Sequence, residues 1–91
     1  MSEASKSVEI INKRGLHARA SAKFVAAVAK MGDANVTVSK DGNSAAGGSI
    51  LGLMMLGAAK GDTVEIKVCG PDFDARLQEL LMLIETGFGE E

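Results

Sequence analysis

Tryptophan and tyrosine are missing from this chain, and only three phenylalanines occur in its 91 residues. Any core must therefore be built from Val, Ile, Leu, Met and Ala. So few aromatic rings, with a formal net charge of −2, argue against a nucleic-acid binder, which would show a basic domain and stacking side chains. The lone cysteine, Cys69, cannot close an internal disulfide, so nothing in the sequence requires an oxidising compartment. With one Cys and one His, a four-ligand Cys/His zinc site is excluded, and no metal or cofactor is expected. Long apolar runs are missing too. The stretch from Ile50 to Ala59 is too short to span a bilayer. The opening MSEASKSVEI lacks the basic-then-apolar layout of a secretory signal. The expectation is a soluble, cytoplasmic, monomeric protein with no membrane contact.

Apolar residues nevertheless make up 46% of the chain, enough for a globular domain rather than a disordered segment. The sequence reads as one domain over residues 1–91, with 1–6 a loose N-terminal extension. Residues 7–12, SVEIIN, place Val8 and Ile10 on one face of a strand. An Ala-rich helix follows from Ala18 to about Met31, with Phe24, Val25, Val28 and Met31 near helical spacing and Gly32 as its stop. NVTVSK at 35–40 alternates, Asp41-Gly42 signals a tight hairpin, and 43–47 form the return strand. Ser49 opens a short helix over 50–58, and Lys60-Gly61-Asp62 turns the chain. TVEIKVCG at 63–70 puts Val64, Ile66 and Val68 inward, with Cys69 an inert outward strand residue. Pro71 and Asp72 start a last helix whose stripe is Phe73, Leu77, Leu80, Leu81, Ile84 and Phe88. Met31 and Met82 are assigned to the core. The order β-α-β-β-α-β-α, with half of each strand polar, predicts an α+β open-faced sandwich. Its four-stranded antiparallel sheet should carry three helices on one face and solvent on the other.

The only histidine, His17, stands in GLHARASAKF, just ahead of the first helix. There it meets unpaired backbone N–H groups and the positive end of the helix dipole. Both favour the neutral, nucleophilic imidazole. The same N–H groups would bind the oxygens of a phosphoryl group that the ring accepted. Arg19 can add a planar donor fork, and Gly15 lets the backbone bend sharply. On these residues alone, an ordinary surface or capping histidine is the more common case. Hydrolysis is poorly supported, because no G-x-S-x-G pattern is present.

NKRGLHARASAKFV resembles the active-site signature of HPr, the histidine-containing phosphocarrier family of the bacterial phosphoenolpyruvate-dependent phosphotransferase system. SAAGGSILGLMMLGAAKGD resembles that family's regulatory-serine segment, and the resemblance spans about Val8 to Phe88. It implies that Enzyme I passes a phosphoryl group to Nδ1 of His17, which passes it to an EIIA-type acceptor. It also implies that Ser49 is a target of HPr kinase/phosphorylase. Three features depart from the pattern. Ala20 stands where many members have proline, Gly48 where lysine is common, and Met54 and Met55 where others are more polar.

As a bare residue Ser49 reads as a helix N-cap. Six of the seven residues 50–56 are large and apolar, more than a short helix can bury. If Leu53 and Leu56 face the core, then Ile50, Leu51, Met54 and Met55 remain outside as a partner-docking patch, joined by Ala20 and Lys23. Methionines suit a surface that must fit several partners. Lys13, Arg14, Arg19 and Lys23 bracket His17, while Glu79, Glu85, Glu90 and Glu91 gather towards the C-terminus. A basic rim would speed encounter with acidic partners and attract phosphate. Two alternatives to a sugar-branch carrier stay open: a regulatory interaction protein working through Ser49, and a nitrogen-branch phosphocarrier with other partners.

Overall fold

Alternation of burial along TVEIKVC makes the central strand of the sheet. Val64, Ile66 and Val68 are all but fully buried, while Thr63 and Glu65 face solvent. A computed structural model describes residues 2–90. In it the strands are β1 (Glu3–Glu9), β2 (Asn35–Lys40), β3 (Asn43–Ala46) and β4 (Thr63–Cys69). All neighbours are antiparallel, in the order β1-β4-β2-β3. The register sets Val8 opposite Val64, and Val36 and Val38 opposite Val68 and Ile66. One face of the sheet is thus a continuous aliphatic surface.

Three helices, α1 (Ala18–Ala29), α2 (Ile50–Met55) and α3 (Phe73–Glu85), together with a 3-10 turn at Gly87–Gly89, supply the apolar side chains that pack with that face. Phe24 from α1, Leu53 from α2, and Leu77, Leu80, Leu81 and Ile84 from α3 are buried against it. Each side chain removed from water in this way contributes about 1.5–3 kcal/mol. The open-faced sandwich expected from the sequence is therefore the observed fold. The hairpin between β2 and β3 turns on Asp41 and Gly42, whose φ values of 51° and 84° are both positive, as a mirror-image two-residue turn requires.

The structure corrects several expectations. Residues 3–6 are no loose extension, because β1 begins at Glu3 and pairs with β4 through Glu3 opposite Cys69. The same strand ends at Glu9, short of the expected residue 12. Helix α2 stops at Met55, not 58. Asp72 sits in the left-handed region at φ 56° with no side-chain capping bond, so Pro71 lies outside α3. Phe88 is buried, but from the 3-10 turn, because Thr86 and Gly87 end the helix before it. Met82 is 60% exposed, and its place in α3 is opposite the Leu77, Leu81 and Ile84 stripe. Met31 is in the core, as expected. Burial first, and then the nearby Glu3 carboxyl, push the Cys69 thiol above its ordinary value, away from the reactive thiolate.

Candidate functional site

The segment from Ile10 to His17 leaves the sheet edge yet is held at both ends. Ile10 exchanges hydrogen bonds with the 61–62 turn: its N–H donates to Asp62 O and its carbonyl accepts from Gly61 N–H, both at 2.8 Å. Leu16 N–H donates to Ala58 O at 2.9 Å, which ties the segment to the chain leaving α2. Between these ties the backbone reverses at Gly15, with φ +62°. A Cβ there would lie 2.2 Å from Ala58 O, so both the handedness and the close approach demand glycine. The side-chain amide of Asn12 donates to Gly15 O at 2.8 Å, at the cost of leaving its own Oδ1 buried without a partner.

His17 is the N-cap of α1, in extended backbone at φ −76°. Its Nδ1 accepts from Arg19 N–H at 3.2 Å. A backbone N–H can only donate, so Nδ1 carries a lone pair and no proton. Nε2 therefore holds the proton of the neutral ring and donates it to Glu90 Oε2 at 2.8 Å. The first-turn amides of Ala18 and Ala20 cannot reach an intrahelical acceptor. The ring is thus seated at the mouth of the helix with its nucleophilic nitrogen among amide donors.

Glu90 is a residue of the candidate site that sequence reasoning missed. It belongs to the site and not to a remote acidic group. Its Oε1 accepts from Asn12 Nδ2 at 3.1 Å. Burial pushes the carboxyl up, but the hydrogen bonds from Asn12 and His17, with the attraction of the His17 ring and Arg19, bring it below its ordinary value. The chain delivers Glu90 through three successive left-handed residues: Gly87, Phe88 and Gly89, at φ 65°, 58° and 72°. Phe88 is a bulky side chain in that region, held there by near-complete burial and by Lys23 Nζ, which donates to its carbonyl at 2.7 Å. A glycine on each side of a phenylalanine just past a helix end was the available signal for this return. Glu91 lies outside the described residues.

Lys13, Arg14, His17, Arg19 and Glu90 line an open cleft of about 270 Å³. Three cations against one carboxylate leave it electropositive. Lys23, exposed as part of the expected basic rim, also donates to the Phe88 carbonyl. Ala20 is fully buried and cannot belong to a docking surface, because the first turn of α1 presses it into the core. The rest of the expected patch is exposed: Ile50 by 40%, Leu51 by 69%, Met54 by 41% and Met55 by 78%. Leu53 is buried and Leu56 partly so, as the sequence required. The tie between Leu16 and Ala58 sets the end of α2 beside the histidine loop. Ser49 caps α2, its Oγ accepting from Gly52 N–H at 2.9 Å. No helix among the described residues is long and apolar enough to cross a membrane.

Residues 4–86 match the family model described as the PTS HPr component phosphorylation site. A phosphocarrier protein HPr of Neisseria meningitidis is 46% identical over 85 residues, covering 93% of this chain and 94% of that protein. A phosphocarrier protein NPr of Shewanella violacea is 38% identical over 90 residues, covering 99% of this chain and 98% of its own. Among solved structures, an HPr from Thermoanaerobacter tengcongensis superposes with a TM-score of 0.90 at 39% identity, covering 97% of this chain and 98% of that one.

Proposed function

The chain belongs to the HPr family of phosphocarrier proteins, carriers rather than enzymes, and from that premise we propose that His17 is the residue that carries the phosphoryl group. In this reading Enzyme I, charged by phosphoenolpyruvate, donates to Nδ1 of His17, and an EIIA-type acceptor takes the group onward. The chain acts as a monomer in the cytoplasm. The observation that carries the proposal is the bare Nδ1 at the start of α1, in a cleft with Lys13, Arg14 and Arg19. As Nδ1 bonds to phosphorus, the Arg19 amide is released from the ring to a phosphate oxygen. The free first-turn amides and the Arg19 guanidinium take the others. Transfer of this kind is mostly positioning and charge neutralisation, so the docking interface is modest and short-lived. Ile50, Leu51, Met54 and Met55 form the apolar part of that interface, and Lys23 adds charge at its rim.

Ser49 is the regulatory phosphorylation site in the same proposal, a substrate for HPr kinase/phosphorylase. Its hydroxyl stands beside the exposed apolar side chains of α2. A phosphate there is compatible with the helix N-terminus, yet puts charge into a surface that must be desolvated on docking. A second reading, a nitrogen-branch phosphocarrier, has the support of the NPr relative. It uses the same chemistry with other acceptors, and offering the charged protein to acceptors of both branches separates the two.

Incubation with Enzyme I and phosphoenolpyruvate should leave an acid-labile, base-stable phosphate on the wild type and none on His17→Ala. Equal labelling of the two proteins overturns the assignment.

A further inference from the structure

We propose that Glu90 is a positioning residue for this phosphoryl transfer, holding the His17 ring in the Nε2–H tautomer and stabilising the positive charge the ring gains when Nδ1 bonds to phosphorus. The inference rests on the carrier reading of His17 and extends it to a residue 73 positions away in the chain.

Three observations carry it. The first is the contact itself. Glu90 Oε2 lies 2.8 Å from Nε2, and the two side chains are only 17% and 20% exposed. The second is that Glu90 is itself held, with Oε1 on Asn12 Nδ2, whose other acceptor is the carbonyl of Gly15. Asn12 thus locks the carboxylate to the loop that carries the histidine. The third is the turn that brings Glu90 there. Gly87, Phe88 and Gly89 all take left-handed backbone, and Phe88 does so at a conformational cost offset by its burial and by the Lys23 bond.

The balance of the step shows what the carboxylate does. The Nδ1 lone pair forms the bond to phosphorus. The donor's bond to phosphorus breaks, and its electron pair leaves with the donor atom. Nε2 keeps its proton, so the ring becomes an imidazolium bearing a phosphoryl group. On onward transfer the P–N electron pair returns to Nδ1 and the ring is neutral again, still protonated on Nε2. No proton has to enter or leave the ring in either direction. That economy holds only if the proton is on Nε2 at the start, and the cationic intermediate state is easier to reach with a carboxylate against it. Glu90 also repels an incoming phosphate. That repulsion acts across the width of the ring and is opposed by Lys13, Arg14 and Arg19, whereas the attraction acts at 2.8 Å.

The experiment compares wild type, Glu90→Ala and Glu90→Gln. Glutamine keeps an acceptor for Nε2–H and removes only the charge. Ring nitrogens of ¹⁵N-histidine-labelled protein are read by NMR in mildly alkaline solution, and phosphorylation is followed with phosphoramidate. That small donor releases ammonia as its P–N bond breaks and needs no docking surface. In wild type and Glu90→Gln the two nitrogens should resonate far apart, as one tautomer requires; in Glu90→Ala, where only the longer 3.2 Å bond from Arg19 N–H still favours that tautomer, they should move towards each other. Glu90→Gln should be phosphorylated about tenfold more slowly than wild type, the difference between a charge-assisted and a neutral hydrogen bond. Glu90→Ala should be slower still, with the backbone amide spectrum of both variants otherwise unchanged. Wild-type nitrogen shifts in Glu90→Ala, or a wild-type rate in Glu90→Gln, overturn the role of Glu90. Failure of wild type itself to take up phosphate from phosphoramidate overturns the carrier reading instead.

Discussion

Gly15→Ala tests whether the geometry of the histidine loop is imposed by a close backbone approach. Two costs add. Alanine at φ +62° is disfavoured by roughly 1 kcal/mol relative to glycine. Its Cβ would then lie 2.2 Å from Ala58 O and 2.8 Å from Ala59 Cα, against 3.4–4 Å for ordinary contact. Both neighbours are backbone and cannot rotate away. The loop must move by more than ~1 Å, which overpacks the site at about 1–3 kcal/mol and strains the bond from Leu16 N–H to Ala58 O, worth about 1 kcal/mol. The total is roughly 3–5 kcal/mol out of a folding stability of about 5–15 kcal/mol, so the variant should fold with a much lower denaturation midpoint. Gly57→Ala is the control. Its φ of +66° is nearly the same, but nothing lies within 4 Å of the added Cβ. That variant should lose only the ~1 kcal/mol of the backbone conformation. Urea denaturation of the pair isolates the clash, and a difference between them under about 1 kcal/mol would refute the close-approach argument. Because His17 N–H donates to Gly15 O at 2.9 Å, phosphorylation of Gly15→Ala by phosphoramidate should also slow, while Gly57→Ala reacts normally.

Ser49→Ala removes the cap on Gly52 N–H and should cost about 1 kcal/mol in urea denaturation, while Ser49→Asp restores most of it. Met55→Glu, at a side chain 78% exposed, should change stability by no more than about 0.5 kcal/mol. The same variant should slow transfer from Enzyme I at least tenfold (about 1.4 kcal/mol) and leave labelling by phosphoramidate unchanged; a normal Enzyme I rate would remove α2 from the docking surface. Glu90 has a lowered folded pKa, so its contribution to stability is complete above its unfolded value of 4.5 and is lost as pH falls through the folded value below that. The stability difference between wild type and Glu90→Gln should therefore hold above pH 4.5 and shrink as pH falls further. A difference that stays constant as pH falls below 4.5 contradicts the shift.

Most of the fold was legible because its signals are local. The alternation of NVTVSK and TVEIKVC needs only neighbouring residues, and Asp41-Gly42 states its own backbone handedness. Where reading failed, the deciding partner was distant. EASK alternates poorly by itself and becomes strand because β4 is long enough to pair with it from Cys69 onward. Phe88 continues the spacing of Ile84, yet Gly87 turns the chain before it, and the same core is reached from a different element. Met82 is a different kind of miss. The periodicity of Leu77, Leu81 and Ile84 already excluded it, and residue type was allowed to outweigh position. The positions of His17 and Ser49 at the starts of α1 and α2 were legible in the sequence. Glu90 was not, because a contact over 73 residues leaves no spacing to read and a C-terminal carboxylate looks like any solvated charge.

The two residues proposed to carry phosphate share one local device. His17 caps α1 through Nδ1 on Arg19 N–H, and Ser49 caps α2 through Oγ on Gly52 N–H. In the proposed reading phosphorylation falls on the capping atom in each case, so that the amide it held would pass to a phosphate oxygen and the helix start would keep an acceptor. What differs is the surroundings. His17 sits in a cleft with three cations, and Glu90 holds the far side of its ring. Ser49 sits among exposed aliphatic side chains of a helix with no acidic or basic residue in its first or last turn. A charge added there changes the surface rather than the fold. The same capping geometry would thus serve the proposed transfer at one helix and the proposed control at the other, and α1 packs against α2.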